Sequence, residues 1–111
     1  MSDDSFRDEF EKIIGQMRQI MMTKRAQRGT SNISNQGLGG VVARMAEDKL
    51  SRIKKSAEGQ RAAQVVMAQL GHLPAELKEL AEIDKSGMED DLLDVANYAI
   101  IALCLLRGKW E

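Results

Sequence analysis

Apolar residues at Phe6, Phe10, Ile13, Ile14, Met17, Ile20 and Met21 recur at steps of three, four and one, the signature of one stripe on an amphipathic helix. The spacing predicts a helix capped by Asp3, Asp4 or Ser5, running to about Arg25 or Gln27 and stopped by Gly29. Gly29 to Gly40 then reads as a polar, glycine-rich loop. A second helix is expected from Gly39 or Gly40 to about Lys55. Val42, Ala46, the aliphatic stem of Lys49, Leu50 and Ile53 make its apolar side, and Arg44, Asp48, Arg52 and Lys55 its charged edge.

Ala62, Ala63, Val66, Met67 and Leu70 form a weaker stripe ending at Gly71, and Pro74 suits the first turn of a short helix through Leu77, Leu80, Ala81 and Ile83. Gly59 is compatible with either a break or a tolerated mid-helix glycine. Ser86 and Glu89 have capping-box spacing, which predicts a last helix from near Gly87 to Leu106 or Arg107, ending at Gly108.

That last helix carries the chemistry. Asp90, Asp91 and Asp94 gather on one edge, and Asp94 and Asn97 fall one turn apart among Leu92, Leu93, Val95, Ala96 and Tyr98. Burying such groups is costly without partners. The acidic first turn, Glu89 included, also suits the positive end of the helix dipole. For Asp94 two partners are open: a hard cation such as Mg²⁺, or an arginine from the second helix. Glu47 and Asp48, flanked by Arg44, Lys49 and Arg52, supply the facing carboxylates for a cation site ringed by phosphate-neutralising groups. Read by themselves, they make a solvated charged face.

Composition narrows the class. With 43% hydrophobic and 30% charged residues, four aromatics and one proline in 111 residues, an all-α single domain spanning 1–111 is expected, a bundle of four to five helices that self-associates. A net charge of −1 gives no field to recruit nucleic acid. One cysteine, Cys104 in an apolar run, fits a small buried hydrophobe in a reducing cytoplasm. No signal peptide or membrane span is expected. His72, the sole histidine, reads as a loop residue, and the glycines form neither a Walker nor a dinucleotide motif.

The ordered series Asn32-Ile33, Gly37, Gly40-Val41, Arg44-Met45, Asp48-Lys49, Arg52-Ile53 and then Glu89 to Ala99 resembles the small MazG-like proteins, in the branch called nucleotide modification associated domain 1, often encoded by bacteriophages. The resemblance implies an all-α, homo-oligomeric (dimeric or tetrameric) nucleoside triphosphate pyrophosphohydrolase that holds Mg²⁺ on helix-borne carboxylates. Carried onto this chain, it implies Glu47, Asp48, Asp91 and Asp94 as metal-holding and catalytic residues. Lys49, Arg52 and Arg44 would neutralise phosphate, Asn97 and Tyr98 would face the substrate, and Arg28, Asn32 and Asn35 would line its way in. The chain departs from the wider group's E-x-x-E pair, having Arg44 and Glu47 at that spacing, and has Gln27-Arg28 where the branch tends to show Asp-Tyr. The departure leaves a second expectation, a nucleotide binder of the same architecture without turnover.

Overall fold

The computed structural model describes residues 3–110, without the side chains of Asp3, Leu80 and Ala81. It is all-α: helices α1 (Asp3–Arg28), α2 (Ser31–Arg44), α3 (Ser51–Leu70), α4 (Lys78–Ala81) and α5 (Lys85–Leu106), with a π-helical segment at Met45–Leu50 and a 3₁₀ turn at Ala75–Leu77. No helix among the described residues is long and apolar enough to cross a membrane. The chain forms two compact units, one built from residues up to Val42 and from Ala96 onward, the other from Ala43–Val95.

In the first unit, Val41 (fully buried), Ile101 and Trp110 make the core, with Met21, Ile33, Tyr98, Ala102, Cys104 and Leu105 packed around it. The predicted stripe of α1 is used unevenly. Met21 reaches the core and Ile14, Met17 and Ile20 are half-buried, whereas Phe6, Phe10 and Ile13 are exposed, the rings of Phe6 and Phe10 meeting at a tilt with their centres 6.1 Å apart. Asp4 and Ser5, expected as caps, lie inside α1.

The glycine-rich stretch is helical rather than a loop. The Ser34 amide donates to the Thr30 carbonyl at 3.1 Å, closing the first turn of α2, and only Gly37 (φ 69°, ψ −178°) leaves the helical region. The kink at Gly37 presses Gly40 against Gln36, whose Cβ lies 2.9 Å from where a side chain at Gly40 would begin. Gly37 therefore bends a helix, a use that composition alone does not distinguish from a loop.

Beyond α5, Gly108 (φ 65°) ends the helix in a Schellman turn, the Lys109 amide donating to the Cys104 carbonyl and the Gly108 amide to that of Leu105. The turn brings Trp110 back onto its own unit. Its indole N–H donates to the Thr30 carbonyl at 3.1 Å, the Arg25 guanidinium lies 4.6 Å from the ring centre, and the same guanidinium donates to the Trp110 carbonyl at 2.6 Å.

In the second unit, α3 runs through Gly59 and stops at Gly71 (φ 75°), so of the two possibilities at Gly59 the chain takes the tolerated mid-helix glycine, and the stripe ending at Leu70 continues the helix before it. Pro74 precedes the 3₁₀ turn, whose Leu77 amide donates to its carbonyl, and Ile83 lies past the end of α4. The cap of α5 is Asp84, not Ser86: its carboxylate accepts from the Gly87 amide at 3.1 Å, so the helix starts two residues earlier than the capping-box pattern suggests.

Candidate functional site

The candidate site lies in the second unit, where the π-helical segment and the start of α3 meet the acidic edge of α5. A π turn takes one more residue than an α turn, which rotates the following face by about 100° relative to an α-helical wheel. The expected apolar side of the second helix is used only in part. Val42, Ala46 and Leu50, expected on its apolar side, are exposed, while Lys49 and Ile53 are half-buried. Lys49 turns its ammonium, not only its stem, to α5.

The Lys49 Nζ lies 2.9 Å from Asp94 Oδ2 and 4.0 Å from Asp91 Oδ1. Arg52 grips Asp91 in a fork, Nε donating to Oδ2 at 3.1 Å and Nη2 to Oδ1 at 2.8 Å. The Lys49, Asp91 and Asp94 side chains retain 21%, 16% and 19% of their exposure, against 56% for Arg52, so the pairs are sheltered on the lysine side and open on the arginine side. The guanidinium hydrogen bonds, followed by its charge and that of Lys49, hold the Asp91 carboxyl below the usual carboxylate range against the opposing effect of burial. Arg52 is in turn pushed up, first by its bond to Asp91 and then by the negative charges of Asp91, Asp48 and Asp94.

Because the folded pKa of Asp91 is depressed, its contribution is complete above the unfolded value, about pH 4, and is lost as pH falls through the folded value. Thermal melting of Asp91→Asn should therefore lose less stability than wild type between neutral pH and pH 3. Parallel melting curves for the two proteins would refute the coupling.

Of the residues singled out from sequence, Lys49, Arg52, Asp91 and Asp94 are brought together, with Asp48 acting on Arg52 through its charge. Glu47 and Asp48 are exposed on the π-helical segment, and Arg44 is exposed beside it. Arg28, Asn32 and Asn35 are exposed in the first unit, where Tyr98 packs on the core. Asn97 is 7% exposed there, and neither its amide nitrogen nor its carbonyl oxygen has a hydrogen-bond partner among the described residues.

Two features had little sequence signal. Gln60, Ile83, Lys85, Met88, Glu89 and Leu92 line an open pocket of about 380 Å³, foreshadowed only by the i, i+4 apolar pair Met88 and Leu92 within an acidic turn. The clamp of Trp110, Arg25 and Thr30 joins positions 80 and 85 residues apart.

Mg²⁺ is the ion that the resemblance implies. Among the described residues no three metal-ligating side chains gather, and the place between Asp91 and Asp94 is taken by the Lys49 ammonium. As arranged, these residues do not fit the ion.

No protein-family model, curated protein or solved structure matches this chain.

Proposed function

We propose that this chain is a nucleotide-binding protein of MazG-like kind, with Lys49 and Arg52 taking the phosphates of a nucleoside triphosphate and the pocket beside Gln60 taking its base. The carrying observation is the pairing of two cations with two sheltered carboxylates at a π-helical segment, a distortion frequent at functional sites. The pocket is of ligand size. Eight residues of α3 separate Gln60 from Arg52, about 12 Å along the helix axis, which suits the span from base to terminal phosphates.

Hydrolysis to a nucleoside monophosphate and pyrophosphate is the second reading, favoured by the placement of Asp91 and Asp94 one turn apart on α5. It requires a metal site that the present arrangement does not offer, so binding is the function supported best. Self-association belongs to the same proposal: Phe6, Phe10 and Ile13 are 62%, 51% and 44% exposed, a face suited to a second copy. Light scattering that finds only monomer at all concentrations would remove that part.

Calorimetry with the common ribo- and deoxyribonucleoside triphosphates, paired with a pyrophosphate-release assay, tests the function. Saturable binding without product is expected. Binding with pyrophosphate release would establish the enzyme, and no binding of any nucleotide would end both readings.

A further inference from the structure

We infer that Lys49 is the resident cation of the Asp91/Asp94 pair, standing where a divalent metal would otherwise sit. Both oxygens of Asp91 are engaged by the Arg52 fork, and Oδ2 of Asp94 faces the ammonium at 2.9 Å. Mg²⁺ demands short bonds, about 2.0–2.1 Å, in near-octahedral order, and takes carboxylate oxygens that are not already bound to cations. Charge leads to the same conclusion. Two carboxylates against one ammonium and one guanidinium sum to zero, so a divalent ion placed among them would face two positive neighbours without a surplus of negative charge. Asp48, which also acts on Arg52, adds a single negative charge from an exposed position.

The ammonium also supplies what a metal commonly supplies to helices bearing facing acids, a cation that ties them together. It is covalently part of the π-helical segment, so the acid edge of α5 is neutralised at any metal concentration. A phosphate-bearing ligand arriving at Lys49 and Arg52 then meets cations already positioned by carboxylates. This significance rests on the nucleotide reading, whereas the occupancy of the acid pair does not.

The test is a MgCl₂ titration without nucleotide, followed by amide chemical shifts along α5. Wild type should show no saturable change up to about 10 mM. Lys49→Met, which frees Asp94 and removes one positive neighbour from Asp91 while keeping much of the stem, should show saturable Mg²⁺ binding within that range where wild type shows none. Lys49→Gln serves if the methionine variant does not fold, and the wild-type titration decides alone if neither does. Saturable millimolar binding by wild type that Asp94→Asn abolishes would overturn the inference, as would folded Lys49 variants that bind no more tightly than wild type. Because no nucleotide is present, a failed nucleotide assay and a failed metal titration are separate results.

Discussion

Trp110→Ala is expected to destabilise the chain by about 3–5 kcal/mol, the range for removing a buried large aromatic. Trp110 is 7% exposed and packs with Val41 and Ile101, so its removal opens a cavity in the small core of the first unit. It also strands Arg25, which loses the ring 4.6 Å beneath its guanidinium. Against a typical stability of about 5–15 kcal/mol this is a large fraction, and circular dichroism should show a melting point lower by about 10 °C or more. Trp110→Phe separates the causes. It keeps most of the packing and loses the hydrogen bond to the Thr30 carbonyl, so a loss of about 1–2 kcal/mol is expected. Equal losses for the two variants would mean that the hydrogen bond, not the packing, dominates. A loss under about 1 kcal/mol for the alanine variant would show that Trp110 does not hold this unit together.

The second large effect concerns ligand binding. Replacing Lys49 and Arg52 together by alanine should weaken nucleoside triphosphate affinity by roughly a hundredfold or more, since two charge-assisted contacts are lost. Asp94→Asn discriminates between the readings. In a protein that only binds, removing a negative charge beside the phosphate-binding lysine preserves or improves affinity. In a hydrolase using that carboxylate, pyrophosphate release collapses while binding persists. An alanine double variant that binds as tightly as wild type and remains folded would place the phosphates elsewhere, whatever the outcome at Asp94.

The acids of the last helix illustrate how far a sequence carries such a site. Their cost in an apolar helix made a partner necessary, and the choice was between a metal and an arginine of the second helix. That choice concerned Asp94, and there the ammonium of Lys49 lies against it, whereas the arginine, Arg52, holds Asp91. Lys49 stands on the side where its long apolar stem fits a helical stripe, and the same placement carries its ammonium to the acids of α5. The pocket beside Gln60 was obscured because its walls come from α3, α5 and the residues just before α5.

What the chain alone determined are features governed within a few residues. Gly29, Gly71 and Gly108 end helices with φ of 70°, 75° and 65°, a left-handed geometry that costs other residues energy wherever they sit. The all-α class and the far end of the last helix follow from similarly local preferences. What only the tertiary structure decided are the π turn, the helical path of the glycine-rich stretch, the capture of Trp110 by Arg25 and Thr30, and the partner chosen by each aspartate. These depend on contacts between residues distant in the chain, where packing selects among conformations that local sterics leave nearly equal in energy.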